Sequence, residues 1–104
     1  MGEEIAFGPG KADLLEAIEK KGSISSAAKS LGLSYRRAWD MVNTMNQSFK
    51  EPLVLGVVGG KKGGGSTVTP MGKNLVIVYR KMEKKAFAAV QKEWAVVEGF
   101  LNIN

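Results

Sequence analysis

Apolar side chains near the start of the chain recur at three- and four-residue spacing, which is the pattern of an amphipathic helix. Leu14 and Ile18 lie on the apolar stripe of a helix that we predict over residues 11–21. Gly22 follows it directly and can end the helix, because glycine readily adopts the left-handed conformation that closes many helices.

Two further helices are predicted over residues 25–31 and 35–47, and together they form a candidate helix-turn-helix over residues 25–47. Gly32 suits the turn because it adopts positive φ at little cost, and Ser34 suits the N-cap of the next helix. The expected core face of that helix repeats at helical spacing and consists of Tyr35, Ala38, Val42, Met45 and Phe49.

Two short apolar segments after these helices predict a β-hairpin, or wing, over residues 53–69. The loop between the strands spans residues 59–65 and is mostly glycine, with Lys61 and Lys62 near its tip. The predicted fold is therefore mainly α with a small β-hairpin wing, which is a winged helix-turn-helix.

A long helix is predicted over residues 70–99, because Thr69 suits an N-cap and Pro70 suits the first helical position. Apolar residues in its second half step by three and four, and so small a body has little surface to cover so long a helix. We therefore expect a homodimer. The alternative is that both apolar stripes of the helix pack within one chain. The expected dimer interface consists of Phe87, Val90, Trp94, Val97 and Leu101.

Composition adds charge to this picture. The chain has 104 residues, which suits one compact domain over residues 1–104, and its net charge of +5 favours an anionic partner. Residues 1–58 carry seven basic and seven acidic side chains, whereas residues 59–85 carry seven basic and one acidic. The segment 20–39 has basic side chains and no acidic one.

The exposed start of a recognition helix meets base edges and phosphates, so the basic start of the third helix suits DNA. Arg36 and Arg37 would contact bases or phosphates, and Asp40 and Thr44 would tune specificity. Lysines would contact the DNA backbone. The full set of candidate DNA contacts is Ser34, Tyr35, Arg36, Arg37, Asp40, Thr44, Lys61, Lys62 and Lys29. The alternative for the two arginines is a solvated helix face.

Two other interpretations compete for parts of this pattern. A phosphate-binding P-loop needs Gly, four residues and then Gly-Lys-Ser/Thr, and neither Gly56 nor Gly59 begins such a run. Trp39 and Trp94 are candidates for base stacking, but core or interface positions are the commoner role of tryptophan.

The absence of Cys and His removes thiol chemistry and the commonest general base and metal ligand. The first residues are acidic and poor in apolar side chains, unlike a signal peptide. No apolar run approaches the roughly 18 residues that span a bilayer. We therefore expect a cytoplasmic protein that is not an enzyme and uses no metal, cofactor or membrane.

Four segments in combination resemble a known family. They are Gly-Ser-Ile-Ser at 22–25, Ser-Tyr-Arg-Arg-Ala-Trp-Asp at 34–40, Asn-Thr-Met-Asn at 43–46 and the Gly-Lys loop at 59–65. The chain resembles, over roughly residues 11–87, the N-terminal domain of ModE-type molybdate-responsive transcription regulators. The winged helix of that domain is related to the one in LysR-type regulators.

The resemblance implies a dimeric bacterial or archaeal DNA-binding protein, with its recognition helix in the major groove and its wing along the backbone or minor groove. Leu55 and Gly56 stand where the family commonly has Glu-Arg, so a phosphate contact is not carried over there. The family's molybdate-binding domains follow this region, so molybdate sensing is not expected of these 104 residues. The expected function is sequence-specific transcriptional regulation, with a protein-interaction module that docks a sensor subunit through the long helix as the alternative.

Overall fold

The protein is described by a computed structural model over residues 6–57 and 65–102. Its elements in these ranges are α1 (Pro9–Lys21), α2 (Ile24–Leu31), α3 (Tyr35–Ser48), β1 (Val54–Val57), β2 (Gly65–Val68), α4 (Pro70–Ala89) and α5 (Gln91–Phe100). Helices dominate, and the two strands pair as an antiparallel hairpin. The predicted fold class, mainly α with a small β-hairpin, is confirmed.

Local sequence signals determine where most helices begin and end. The hydroxyl oxygens of Ser23, Ser34 and Thr69 each accept a hydrogen bond, of 3.0 to 3.1 Å, from the backbone N–H three residues on. These bonds satisfy backbone donors that have no partner within the helix. Gly22 and Gly32 close α1 and α2 with φ of 82° and 70°, the left-handed region that favours glycine.

The core lies between α1, α2, α3 and the base of the hairpin. Its fully buried side chains include Leu14, Leu15, Ile18, Met45 and Leu53. Tyr35 is a correction to the expected core face of α3, because 56% of its surface is exposed. It stands one turn ahead of Ala38, the first residue of α3 that is buried in the core, and therefore precedes the buried part of the helix.

The hairpin pairs Val54 with Val68 and Val57 with Gly65. Among its described residues, Val54 and Val68 at its base are the buried ones. The expected wing tip, with Lys61 and Lys62, lies outside the described residues. The base of the hairpin therefore belongs to the core.

One side chain of α3 holds the first strand. Asn46 Oδ1 accepts hydrogen bonds from the backbone N–H groups of Leu53 (2.8 Å) and Val54 (3.1 Å). Its Nδ2 donates to the carbonyl of Val54 at 2.9 Å. Because one amide satisfies three backbone groups, the hairpin has a fixed position beside α3.

The second strand is held from the other side of the fold. The backbone N–H of Ser66 donates to the carbonyl of Gly22 at 2.9 Å. A Cβ at Gly65 would lie 2.7 Å from that carbonyl oxygen, so the strand approaches the α1–α2 turn as closely as a glycine allows. The hairpin is thus attached both to α3 and to the turn that precedes α2.

Arg80 joins α4 to α1. Its guanidinium donates to Asp13 at 2.6 Å and to Glu83 at 3.0 Å, and it donates to Glu16 through both Nε and Nη2. The hydrogen bonds with Glu16, then those with Asp13 and Glu83, raise the pKa of Arg80 above its ordinary value. The guanidinium therefore stays charged, and its network fixes the direction in which α4 leaves the body.

The expected continuous helix over residues 70–99 is wrong in one respect, because it is divided at Val90. Val90 has φ −105° and ψ 4°, and its N–H bonds to the carbonyl of Phe87 rather than continuing the α-helical pattern. Every described residue after Glu83 is exposed, so no packing against the body keeps this part of the chain straight. A β-branched residue, which favours the helix less than most, stands at the break.

Candidate nucleic-acid interface

The first turn of α3 presents polar and basic side chains to solvent. The hydroxyl of Ser34 accepts a hydrogen bond from the N–H of Arg37 at 3.0 Å, so Ser34 is the N-cap of α3. Tyr35, Arg36 and Arg37 follow it and are all exposed. The turn offers an aromatic ring, a hydroxyl and two guanidinium groups beside the positive end of the helix dipole.

Arg36 is paired along the helix with Asp40. Its Nε lies 3.3 Å from Asp40 Oδ1, and 83% of the arginine side chain is exposed. An exposed pair one helical turn apart contributes only about 0.3–0.5 kcal/mol. The pair therefore orients Arg36 at rest, and a base edge or phosphate can replace the carboxylate at small cost.

The predicted specificity residues continue along the same helix. Arg37, Asp40 and Thr44 are spaced by three and four residues, which places them on one face of α3. Thr44 is half-buried, and its carbonyl accepts from Ser48 Oγ at 2.6 Å. The structure thus places these three candidates on a face distinct from the buried Ala38, Val42 and Met45.

The two tryptophans are not buried. Trp39 is 44% exposed on α3 and Trp94 is 46% exposed on α5, which corrects the core interpretation for both. Helical spacing alone did not show whether Trp39, which follows the buried Ala38, faces the core or the solvent. Interface and stacking roles for the two rings remain predictions.

Lys29 lies at the C-terminal end of α2 and is exposed. It lines a concave surface together with Lys21, Ser26 and Ser30. The three neighbours were not among the expected DNA contacts. The contacts expected of Lys61 and Lys62 lie outside the described residues.

Sequence reasoning also missed the role of Asn46. The residue was only part of a family-like segment, yet it joins α3 to β1 through three hydrogen bonds. No local pattern marks a polar residue as the partner of a strand eight residues further on. The candidate recognition helix and the wing are therefore one hydrogen-bonded unit.

The predicted dimer stripe is exposed in the single chain. Its members are exposed by 42% to 65% and comprise Phe87, Val90, Trp94, Val97 and Leu101. Phe100, at the end of α5, is 81% exposed. Large exposed apolar patches are common at interaction sites, so the role of this stripe as an interface stays a prediction. None of the described helices combines the length and apolar character required to traverse a bilayer.

Curated relatives match most of the chain, whereas no protein-family model matches it. The molybdenum transport protein ModE of Azotobacter vinelandii is 48% identical over 76% of the chain and 29% of its own length. The molybdenum-pterin-binding protein MopB of Rhodobacter capsulatus is 42% identical over 94% of the chain and 35% of its length. The DNA-binding transcriptional dual regulator ModE of Escherichia coli K12 is 40% identical over 90% of the chain and 37% of its length.

The chain thus spans about a third of the length of these relatives. Their names describe regulation, transport or molybdenum-pterin binding and no catalysis, in agreement with the non-enzymatic prediction.

A solved structure has the same fold. The crystal structure of ArgP from Mycobacterium tuberculosis, a LysR-type protein, superimposes with a TM-score of 0.55 at 21% identity. The match covers 84% of this chain and 32% of that one. This likeness supports the winged-helix fold, and the sequence relatives support the family. The chain is therefore a homologue of the ModE-type, molybdate-related regulators and has the winged-helix fold expected of their N-terminal domain.

Proposed function

We propose that residues 1–104 act as one sequence-specific DNA-binding domain of a cytoplasmic transcriptional regulator. The observation that carries the proposal is the first turn of α3, where Tyr35, Arg36 and Arg37 are all exposed. The hairpin is hydrogen-bonded to the same helix through Asn46. A basic helix start and an attached wing together suit the major groove and the adjoining backbone.

The interaction has two separable parts. Lysine and arginine side chains that neutralise phosphates supply affinity and its dependence on salt. Hydrogen bonds to base edges in the major groove supply the choice of sequence. In this proposal Arg36 and Arg37 contact bases or phosphates, and the wing lysines Lys61 and Lys62 bind backbone. Asp40 and Thr44 tune specificity from the same face of α3.

Arg36→Ala is expected to weaken binding to a selected duplex by about 1–3 kcal/mol, because a bidentate contact with a base edge is lost. Fluorescence anisotropy would measure the change on a duplex selected from random DNA and on an unrelated duplex. The loss should be larger on the selected sequence. Lys92→Ala, an exposed substitution on α5, is the control and should change neither affinity.

Equal losses for Arg36→Ala on both duplexes would instead make this residue a phosphate contact. If the unaltered protein fails to shift any duplex in the presence of competitor DNA, the proposed function is wrong.

We also propose that two chains pair through the apolar stripe of α4 and α5. The stripe has no cover within the described chain, and a dimer would set two recognition helices at a fixed separation. Two half-sites about one helical turn apart, or a multiple of this, would then be protected together. Arg80 supports this geometry, because it holds the middle of α4 against α1.

Trp94→Glu is expected to convert the dimer to a monomer, since it places a charge in the middle of the apolar stripe. Sedimentation equilibrium would measure the mass of the particle. Lys92→Glu introduces the same residue two positions away, at an exposed site outside the stripe, and should leave the dimer intact. A monomeric unaltered protein, or a Trp94→Glu variant that remains dimeric, would contradict the proposed interface.

A second candidate function is a protein-interaction module that docks a sensor subunit through α5. The exposed Phe100 and its apolar neighbours favour it. An electrophoretic shift assay distinguishes the two candidate functions. A module that binds only proteins would give no shift of DNA in the presence of competitor.

A further inference from the structure

Arg80 attaches α4 to α1 at a point where the helix is leaving the core. The side chains of α4 that pack against the core are Met71, Leu75 and Val76, and all of them precede Arg80 by at least one turn. Every described residue after Glu83 is exposed. Arg80 therefore stands between the part of α4 that is packed on the body and the apolar stripe that we propose as the dimer interface.

The start of α4 is held separately. Thr69 Oγ1 donates to the carbonyl of Pro52 at 2.8 Å and accepts from the N–H of Gly72 at 3.1 Å. Gly72 is buried so closely that an added Cβ would lie 2.7 Å from the carbonyl oxygen of Leu53. A helix held at its first turn alone can still tilt about that turn, so a second attachment further along determines its direction.

The ion pairs of Arg80 provide this second attachment. Arg80 is eight residues beyond Gly72 on α4, which is about 12 Å along the helix. Its guanidinium donates to Glu16 through Nε at 3.1 Å and to Asp13 at 2.6 Å, while Glu83 of the same helix accepts a third bond. Asp13 and Glu16 are about one turn apart on α1. Because the planar guanidinium is bonded to both, it is held from sliding along α1 in either direction.

The ring of Tyr79 also contacts the body, edge-on against Phe7 with 5.1 Å between the ring centroids. Apolar contact of this kind has no fixed direction, whereas hydrogen bonds to a carboxylate do. The aromatic contact therefore limits the tilt of α4, and the Arg80 ion pairs select one angle within that limit.

Small displacements at Arg80 grow along the helix. Phe87, where the apolar stripe begins, is about 22 Å from Gly72, so a sideways shift at Arg80 is nearly doubled there. In a dimer, a tilt of either α4 changes the separation and the relative rotation of the two bodies. DNA is sensitive to both, because each added base pair moves two half-sites apart by about 3.4 Å and rotates one by about 35°.

We propose that Arg80, through Asp13 and Glu16, determines the spacing of the two DNA half-sites that the dimer recognises. The inference rests on the proposed function and the proposed dimer. Arg80 acts as a positioning residue, because it fixes the angle between α4 and the body and has no contact with DNA in this proposal. The sequence of a half-site and the distance between half-sites are then set by different residues, α3 for the first and Arg80 for the second.

Arg80→Gln tests the proposal on duplexes that carry two selected half-sites with spacers differing by one base pair. Anisotropy should show that the unaltered protein loses about tenfold in affinity one base pair from its best spacing, since one recognition helix then loses a bidentate base contact. Arg80→Gln should bind neighbouring spacings within about threefold of one another, because α4 can tilt to reach them. Its affinity for a duplex with a single half-site should be unchanged. Lys81→Gln, which removes the neighbouring exposed cation, is the control and should keep the original spacing preference.

A second variant removes the same ion pairs from the other side. Asp13→Asn with Glu16→Gln leaves the sequence of α4 intact and should broaden the spacing preference in the same way. Both variants should fold, because more than half of each α1 carboxylate side chain is exposed and exposed ion pairs contribute little to stability. Circular dichroism and sedimentation equilibrium would check the fold and the dimer of each.

An unchanged spacing preference in the folded, dimeric variants would overturn the proposal. An equal loss at every spacing and on the single half-site would also overturn it, since Arg80 would then act on the DNA-binding body. Monomeric variants would assign Arg80 to dimer formation instead of spacing. If the unaltered protein binds no duplex, the proposed function itself is wrong, and if it binds as a monomer, the proposed dimer and this inference fail together.

Discussion

Asn46→Ala is expected to lower the free energy of unfolding by about 3 kcal/mol, at roughly 1 kcal/mol for each of three backbone groups left without a partner. These groups are the N–H of Leu53 and both the N–H and the carbonyl of Val54. Alanine offers neither a donor nor an acceptor. Because Leu53 and Val54 are buried, water reaches the freed groups poorly. Urea denaturation should show a lower midpoint with an unchanged slope.

The loss should also weaken the wing's contribution to DNA binding, since Asn46 is the side chain that ties β1 to α3. Asn46→Asp keeps the acceptors for both N–H groups but loses the donor to Val54, so its loss of stability should be smaller. Asn74→Ala removes an exposed asparagine of α4 and should change stability by less than about 0.5 kcal/mol. An Asn46→Ala protein as stable as the Asn74→Ala control would show that the three Asn46 hydrogen bonds contribute nothing to stability.

Gly72→Ala is expected to destabilise the protein by about 2–3 kcal/mol, a typical cost of overpacking. An added Cβ would lie 2.7 Å from the carbonyl oxygen of Leu53 and 2.7 Å from Val68 Cγ1. The carbonyl cannot move away freely, because it accepts the N–H of Thr69 at 2.9 Å. Gly72 also supplies the N–H that the Thr69 hydroxyl accepts, so a shift of the first turn of α4 would break the cap.

Gly99→Ala is the matched control and should have the opposite sign. This glycine lies in α5, and a Cβ there would meet no atom within 4 Å. Alanine should therefore stabilise α5 by up to about 1 kcal/mol through helix propensity alone. Thermal unfolding of both variants would compare them directly. A Gly72→Ala protein that is as stable as the unaltered chain would contradict the close approach of α4 to Leu53 and β2.

Local signals predicted the fold well. The caps at Ser34 and Thr69 and the closures at Gly22 and Gly32 lie where the sequence indicated, because each depends on a hydrogen bond or a φ angle within a few residues. Periodicity also identified Ala38, Val42 and Met45 as the core face of α3. It included Tyr35 wrongly, since spacing shows which residues share a face but not where along the helix the core begins.

The exposure of the candidate DNA contacts on α3 was predictable from the sequence, whereas their role in DNA binding stays a prediction. Sequence and family resemblance drew attention to Arg36 and Arg37, and their exposure agrees with that choice. The pairing of Arg36 with Asp40 follows from one helical turn of spacing. The concave surface that Lys29 lines was harder to predict, because it needs Lys21 from one helix beside three residues of the next.

By itself the sequence determined the helices, their caps, the hairpin and the basic face, because these depend on interactions between residues close along the chain. Only the tertiary structure decided how the parts are held together. Asn46 reaches β1, Ser66 reaches Gly22, and Arg80 reaches Asp13 and Glu16 across 64 to 67 residues. Such contacts depend on where folding brings distant segments, and hydrophobic periodicity carries no information about that distance. The break at Val90 has the same origin, since the apolar stepping continues through a residue whose backbone leaves the helix once the body no longer supports it.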